Sequence, residues 1–297
     1  MNLIADAVVT ADKSGLVRTL NPAAEAVIGW TQAEAIGKPV EEIVVLRERQ
    51  RQCQLPNPFC DAIQKGVSTD RSAQYMLIDR EGRRIAIEFS TAPLKGHNGY
   101  YGGCVFVFRD VSHARQLAER MSYLAHHDTL TGLPNRILLV DRLEQGIKFA
   151  DRHKDQLAVL FLDLDHFTEI KATIGSTQGD ELLKEVAYRI TTALRESDTV
   201  SRLGGDEFVI MLPGVAALDH VESVANKLLE SIARPFSLAA GTVHTSCSIG
   251  ISLYPDHSVD TGMLMRLADE AMYQAKLNGR NKFAFARTAR PKLQNVD

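Results

Sequence analysis

Residues 199–212 read Thr-Val-Ser-Arg-Leu-Gly-Gly-Asp-Glu-Phe-Val-Ile-Met-Leu, and this stretch decides the fold of the C-terminal part of the chain. Two apolar or alternating runs joined by a Gly-Gly turn predict a β-hairpin. Asp206 and Glu207 fall at the tip of this hairpin. Carboxylates held at a solvated turn are in a position to meet a metal ion and phosphate groups.

A second acidic element lies upstream of the hairpin. Residues 157–162 form an apolar run of strand length that ends in Asp163-Leu164-Asp165. If this strand pairs beside the hairpin, Asp163 and Asp206 converge on one Mg²⁺, an ion that is commonly held by one or two carboxylates plus substrate phosphates. Acidic pairs at neighbouring strand ends are typical of nucleotidyl-transfer sites, whereas Gly-Gly-Asp-Glu alone fits an ordinary solvated turn equally well.

Between residues 126 and 285, five ordered motifs resemble GGDEF domains, the catalytic domains of diguanylate cyclases. They are His-Asp-Thr-Leu-Thr-Gly-Leu-Pro-Asn-Arg at 127–136, Phe-Leu-Asp-Leu-Asp-His-Phe at 161–167, Gly-Asp at 179–180, Arg-Leu-Gly-Gly-Asp-Glu-Phe at 202–208 and Ala-Met-Tyr-Gln-Ala-Lys-Leu-Asn-Gly-Arg-Asn at 271–281. The resemblance implies a ferredoxin-like palm within an α+β fold. It also implies condensation of two GTP molecules to cyclic di-GMP and pyrophosphate, by two domains that face each other in a homodimer.

The resemblance assigns metal-binding and catalytic roles to individual residues. Asp163, the backbone carbonyl of Leu164 and Asp206 are expected to bind Mg²⁺ or Mn²⁺. Glu207 is expected to bind a second metal ion or to help deprotonate the attacking 3′-hydroxyl. Asp163, Asp206 and Glu207 form the expected catalytic set, because metal ions polarise phosphoryl oxygens and carboxylates hold the metal ions.

The same resemblance assigns substrate binding to Phe167, Lys171, Asp180, Lys276 and Arg280. Lys276 and Arg280 match the triphosphate contacts of the family and supply the expected counter-charges. Asp180 is able to accept hydrogen bonds from N1–H and N2–H₂ of guanine.

The segment after Phe167 departs from the family pattern. Thr168 stands where a lysine stabilises phosphate charge, and Lys171 stands where an asparagine hydrogen-bonds guanine. Ala172 and Ser176 replace an aspartate and a histidine. A lysine has three donors and no acceptor, so it cannot receive an N–H of the base. We expect weakened GTP affinity or relaxed base choice with the metal chemistry intact. The alternative is a catalytically silent domain that binds GTP or cyclic di-GMP.

An Arg-x-x-Asp element, Arg195 to Asp198, precedes the Gly-Gly turn. In isolation an arginine and an aspartate at this spacing form an ordinary surface ion pair. The product-inhibition site of the GGDEF family has the same Arg-x-x-Asp motif at the same position before the turn. The resemblance therefore implies that cyclic di-GMP binds here. Arginine is able to grip phosphate and the Hoogsteen edge of guanine, while aspartate accepts from the opposite edge.

The N-terminal part resembles a PAS sensory domain, which implies an antiparallel sheet with flanking helices. Residues 7–10 and 17–20 have strand character, and Asn21-Pro22 is a typical helix start. A meander of three strands follows at 74–78, 85–90 and 103–108. The segments 29–38 and 108–112 resemble sequence motifs that are common in the PAS family. The central helical region 58–66 contains no histidine that could serve as a haem ligand. The ligand of this domain is therefore unknown.

Ala114, Leu117, Met121 and Leu124 form a short apolar stripe between the two domains. The spacing predicts either a parallel coiled coil, which would join two copies of the chain, or one amphipathic helix packed on its own domain. We expect a PAS domain at residues 1–111, a signalling helix or short coiled coil at 112–127 and a GGDEF domain at 128–290. The PAS domain and the linker helix are the expected homodimer contacts.

Composition bounds the class of protein. The chain has 297 residues, 45% of them hydrophobic, and a formal net charge of −3, which gives no electrostatic footprint for nucleic acid. Cys53, Cys60, Cys104 and Cys247 show no metal-ligand spacing, and scattered thiols suit a reducing cytoplasm. No apolar run is long enough to span a membrane, and no signal-peptide pattern is present. We expect a cytoplasmic protein with no membrane segment in this chain.

Overall fold

The computed structural model describes residues 6–48, 59, 62–63, 68–95, 101–239 and 241–287. Contacts divide the chain into two compact units, residues 1–120 and 121–297. Most of the central region 58–66, together with Cys53 and Cys60, lies outside the described residues. Cys104 and Cys247 are both buried and free. In the described ranges, no helix has the length and apolar character needed to cross a membrane.

The first unit is built on one antiparallel sheet of six strands in the order β2-β1-β6-β5-β4-β3. Its strands are β1 (Ala7–Asp12), β2 (Val17–Leu20), β3 (Val45–Glu48), β4 (Thr69–Ile78), β5 (Arg84–Lys95) and β6 (Tyr101–Asp110). Its named helices are α1 (Pro22–Ile28), α2 (Gln32–Ala35) and α3 (Val40–Ile43). The predicted antiparallel sheet with flanking helices is confirmed, and the three strands of the meander are longer than their apolar cores indicated.

The residues at the start of α1 attach this helix to the sheet. Pro22 occupies the first helical position of α1, and the side chain of Asn21 accepts hydrogen bonds from the backbone N–H groups of Ala24 and Val8. Asn21 is only 3% exposed, so this cap also joins the helix to the sheet. The predicted helix start is confirmed.

Helix α4 (Ser112–His126) carries the predicted apolar stripe and has no buried residue. Leu117, Met121 and Leu124 are 52%, 63% and 44% exposed. In a single copy of the chain this stripe therefore faces solvent. Side chains of this kind gain stability when another apolar surface covers them.

The second unit is a ferredoxin-like palm. Its main sheet has the order β13-β12-β7-β9-β8 and consists of β7 (Gln156–Leu164), β8 (Thr199–Gly204), β9 (Glu207–Val215), β12 (Cys247–Tyr254) and β13 (Lys282–Phe285). Its helices are α5 (Arg136–His153), α6 (Phe167–Ile174), α7 (Ser176–Ala193), α8 (Leu218–Ala233) and α9 (Thr261–Leu277), and β10 (Phe236–Leu238) pairs with β11 (Gly241–Val243) in a small hairpin. The predicted fold class is confirmed.

Helices cover both faces of this sheet. Helices α7 and α8 contribute to the core on one face, and α5 and α9 contribute to the core on the other. The central strand β7 is consequently buried from Leu157 to Leu164. Helix α9 lies very close to β12 at Gly250, which has no side chain. A Cβ atom on Gly250 would stand 1.9 Å from the carbonyl oxygen of Ala268 and 2.1 Å from the backbone nitrogen of Met272. This close approach sets the height of α9 above the sheet.

Candidate active site

The Gly-Gly turn forms the predicted β-hairpin and brings the acidic residues together. Gly204 and Gly205 have φ angles of +146° and +52°, in the region that residues with a Cβ atom rarely adopt. Asp206 lies on the turn, and Glu207 begins β9. Strand β7 pairs antiparallel with β9 so that Asp163 is the direct partner of Glu207. The expectation that the upstream strand lies beside the hairpin is confirmed.

Arg202 fixes the conformation of the turn, a role that sequence reasoning missed. Its Nη1 donates to both carboxylate oxygens of Asp128, at 2.8 and 2.9 Å, and its Nη2 and Nε donate to the carbonyl oxygen of Gly205, at 2.6 and 3.1 Å. Burial acts to raise the pKa of Asp128, but hydrogen bonds from Thr131 and Arg202 outweigh it and hold that pKa below its ordinary value. The guanidinium therefore ties the hairpin tip to the segment that enters the domain.

Lys276 forms an ion pair with Asp163 at the centre of the site. The ammonium group in the last turn of α9 lies 2.6 Å from Oδ1 of Asp163, whose side chain is 12% exposed. Burial raises the pKa of Asp163 to about 6, in spite of the hydrogen bond from Lys276, and the charges of Asp206 and Glu207 act in the same upward direction as burial. The carboxylates are thus close enough to repel one another, and a cation relieves that repulsion.

The donor chemistry fits a hard divalent cation. Asp163, Asp206 and Glu207 offer carboxylate oxygens, the ligands that Mg²⁺ prefers. Among the described residues, however, no three acidic, histidine or cysteine side chains are already grouped around a possible metal position. Lys276 pairs with Oδ1 of Asp163, so a metal ion at that oxygen would compete with the ammonium group.

Phe167, Lys171 and Asp180 form a second group on helices α6 and α7. Phe167 is 5% exposed and packs in the core, so any contact with a substrate has to come from its backbone. Lys171 donates to Oδ1 of Asp180 at 3.3 Å, and both side chains are about 40% exposed. The stem of Lys171 lies against Gly179, where a Cβ atom would stand 2.9 Å from its Cγ. The Asp180 carboxylate is therefore already engaged by the residue that departs from the family pattern.

Arg280 lies in the loop between α9 and β13, four positions after Lys276 along the chain. It is exposed and adopts a φ angle of +59°. Lys276 and Arg280 thus belong to one segment, the end of α9 and the loop that follows it. Two positive charges on such a segment suit the binding of a polyanion.

Arg195 and Asp198 form a turn before β8, apart from the other two groups in sequence and in secondary structure. The carboxylate of Asp198 accepts a hydrogen bond from the backbone N–H of Arg195 at 3.0 Å. No ion pair joins the two side chains within the residues described. Arg195 is exposed, so its guanidinium is accessible to a ligand.

Comparison with known proteins gives the family. The GGDEF domain of diguanylate cyclases matches residues 125–282, and the PAS fold matches residues 1–116. The chain is 42% identical over 174 residues to the diguanylate cyclase TpbB of Pseudomonas aeruginosa, covering 58% of this chain and 40% of TpbB. It is 31% identical over 286 residues to the probable diguanylate cyclase DgcE of Escherichia coli, covering 95% of this chain and 25% of DgcE. It therefore spans less than half the length of either relative.

A solved structure supports the same assignment. The isolated GGDEF domain of PA1120 (TpbB or YfiN) from Pseudomonas aeruginosa superposes with a TM-score of 0.54 at 44% sequence identity. The match covers 55% of this chain and 95% of that domain. The hairpin with its acidic tip, the ferredoxin-like strand order and this agreement in sequence lead to one conclusion: the chain belongs to the diguanylate cyclase GGDEF-domain family and carries a PAS fold ahead of that domain.

Proposed function

We propose that this protein is a diguanylate cyclase that condenses two GTP molecules to cyclic di-GMP and releases pyrophosphate. One observation carries the proposal: Asp163 and Glu207 are direct cross-strand partners beside the Asp206 turn, and a cation from α9 already lies at Asp163. This arrangement supplies acidic oxygens for metal binding and a positive charge at one end of the sheet. Those are the groups that transfer of a nucleotidyl unit between two GTP molecules needs.

Each side chain has a distinct task in this proposal. Asp163, Asp206 and the backbone carbonyl of Leu164 hold Mg²⁺ or Mn²⁺, with Glu207 beside them. The metal, when bound, polarises the α-phosphate and lowers the pKa of the attacking 3′-hydroxyl. Glu207 accepts the proton of that hydroxyl. Lys276 moves from Asp163 to the triphosphate, which Arg280 also contacts.

The reaction requires two copies of the chain, because each domain supplies the carboxylates and the GTP for one half of the active site. The exposed stripe of α4 supports a homodimer, since pairing of two helices would cover Leu117, Met121 and Leu124. We propose that the PAS unit controls the reaction by changing how the two α4 helices pair.

Base recognition is where this protein differs from the family pattern. The Lys171 ammonium neutralises Asp180, so guanine has to displace a 3.3 Å ion pair before Asp180 accepts from N1–H and N2–H₂. Because both side chains are partly exposed, this displacement is modest in free energy. A base that does not donate to Asp180 loses less, because it leaves this ion pair in place. Weakened GTP affinity and relaxed base choice both follow.

A second candidate function is that of a receptor without catalytic activity. The accessible guanidinium of Arg195 beside Asp198 supports binding of cyclic di-GMP at that turn. In a cyclase the same site would give product inhibition. Arg195→Ala distinguishes this site from the catalytic one, because we expect it to abolish cyclic di-GMP binding without changing the product formed from GTP.

Product analysis tests the proposal. The full chain is incubated with Mg²⁺ and GTP, ATP or both, beside Asp206→Ala and the surface control Asp219→Ala. We expect cyclic di-GMP from wild type and from the control, and a loss of at least about a hundredfold in Asp206→Ala. A mixed cyclic dinucleotide would indicate relaxed base choice. No product from any nucleotide, with cyclic di-GMP still bound, would reject the cyclase and favour the receptor.

A further inference from the structure

Asp165 is a buried carboxylate that has no role in the proposed reaction. It follows Asp163 by two residues and is only 2% exposed. Its Oδ1 accepts from the hydroxyl of Ser248 at 2.8 Å, and its Oδ2 accepts from the hydroxyl of Ser246 at 2.5 Å. Oδ2 also accepts from the backbone N–H of Asn281 at 3.1 Å. One side chain thus links the end of β7 both to β12 and to the loop that follows α9.

The loop that Asp165 contacts has an unfavourable backbone. Arg280 and Asn281 have φ angles of +59° and +47°, so two consecutive residues with Cβ atoms occupy the left-handed region. Side-chain sterics disfavour that region for every residue except glycine, and asparagine tolerates it better than arginine does. The loop therefore needs an interaction that holds it in this shape. The buried negative charge of Asp165, aimed at the N–H of Asn281, provides one.

A carboxylate is better suited to this position than a neutral side chain. Burying a charge is costly unless the charge is hydrogen-bonded, and here three donors meet its two oxygens. An amide of the same size offers one acceptor oxygen in place of two and carries no charge, so its bond to the N–H of Asn281 is weaker. The charge consequently fixes the distance between the end of β7 and the loop that contains Arg280.

We propose that Asp165 is a positioning residue for nucleoside triphosphate binding. It holds Asn281, and through Asn281 it places Arg280 at a fixed distance from Asp163. This inference rests on the proposed function, because the triphosphate is the ligand that Lys276 and Arg280 share. Asp165 itself does not touch the ligand.

Hydrogen exchange of the full chain tests the mechanical part without any ligand. Asp165→Asn keeps the size of the side chain, and we expect it to speed exchange in the peptide 278–282 by about tenfold, the effect of one lost charge-assisted hydrogen bond. Ser246→Ala removes a single donor to the same oxygen and serves as the second variant if Asp165→Asn does not fold. Ser252→Ala is the control, because Ser252 is a buried serine of β12 whose hydroxyl donates to the carbonyl oxygen of Leu264 and not to Asp165. Unchanged exchange at 278–282 in both Asp165→Asn and Ser246→Ala overturns the inference.

Binding of a GTP analogue with a methylene group between its α and β phosphorus atoms tests the functional part. We expect Asp165→Asn to raise its Kd about tenfold and Ser252→Ala to leave it unchanged. In the double variant with Arg280→Ala, the Kd should equal that of Arg280→Ala alone, because Asp165 acts through the Arg280 loop. Fully additive effects, or an unchanged Kd in Asp165→Asn, overturn the inference. Absence of analogue binding by wild type contradicts the proposed function instead, and the exchange measurement still decides whether Asp165 holds the loop.

Discussion

Replacing Gly250 by alanine is expected to push helix α9 away from the sheet and weaken the second unit. The added Cβ atom would stand 1.9 Å from the carbonyl oxygen of Ala268 and 2.1 Å from the backbone nitrogen of Met272. Both atoms belong to the helix backbone, so no side-chain rotation relieves the overlap. Gly250 itself is paired on both sides, with Phe161 of β7 and Ala284 of β13, and cannot retreat.

The magnitude follows from these distances. Ordinary contact of a Cβ atom begins near 3.4 Å, so the helix has to move outward by 3.4 − 1.9 = 1.5 Å at this point. Overpacking a core costs about 1–3 kcal/mol, and a backbone clash belongs at the upper end of that range. For a unit of this size, 1 kcal/mol lowers the melting midpoint by roughly 2–4 °C. We expect Gly250→Ala to melt about 5–12 °C below wild type.

The assay is thermal unfolding of the full chain, followed by hydrogen exchange of β7 to identify which unit has unfolded. Gly262→Ala is the matched control, because Gly262 lies in the same helix and its added Cβ would meet only a side-chain oxygen of Asp260, at 3.4 Å. We expect this control to melt at or slightly above the wild-type midpoint, since alanine is the better helix former. If Gly250→Ala melts within about 2 °C of wild type, the helix is not held by this contact and the reasoning is wrong.

Further predictions concern the entry segment, the base site and the linker helix. Asp128→Asn, which breaks the pair with Arg202, should lower stability at pH 7 by about 1–3 kcal/mol after allowance for partial exposure. Because the folded-state pKa of Asp128 is depressed, its contribution is present above about pH 4 and is lost as the pH falls, so acid titration of unfolding should show the variant and wild type converging. Lys171→Asn, which restores both a donor and an acceptor, should tighten GTP over ATP by about tenfold in equilibrium binding, and equal gains for both nucleotides would contradict the role given to Lys171. Met121→Glu should shift the chain toward monomer in analytical ultracentrifugation, because Met121 belongs to the apolar stripe. Ser122→Glu is the control and should leave the dimer intact, because Ser122 lies outside the stripe. A dimer that survives Met121→Glu would place the contact elsewhere.

Features with a local cause could be predicted from sequence. The Gly204-Gly205 turn, the buried strand before Asp163 and the helix start at Asn21 each depend on a few adjacent residues, and the structure confirms all of them. The sequence also raised the possibility that the strand before Asp163 lies beside the hairpin, and the pairing of β7 with β9 agrees with it. These elements were sufficient to identify the end of the sheet at which the candidate site lies.

Contacts between distant segments could not be predicted in this way. The ion pair of Lys276 with Asp163 depends on how deeply α9 packs on β12, and that depth follows from the missing side chain of Gly250. The partners of Asp165 come from positions 81, 83 and 116 residues away along the chain. No periodicity or motif encodes such distances, although an unexplained second aspartate in Asp163-Leu164-Asp165 was a signal that could have been followed.

Strand β7 is buried on both faces, and this burial affects how the second unit unfolds. Asp163 stands near the end of a strand that is buried from Leu157 to Leu164, and the segments that hold Glu207 and Lys276 are packed directly on that strand. Local opening, which begins at poorly packed edges, reaches such a strand only when the whole unit opens. Heat or denaturant should therefore leave the acidic cluster assembled until the unit loses its structure as a whole. Loss of the acidic cluster and global unfolding of the second unit are then a single event.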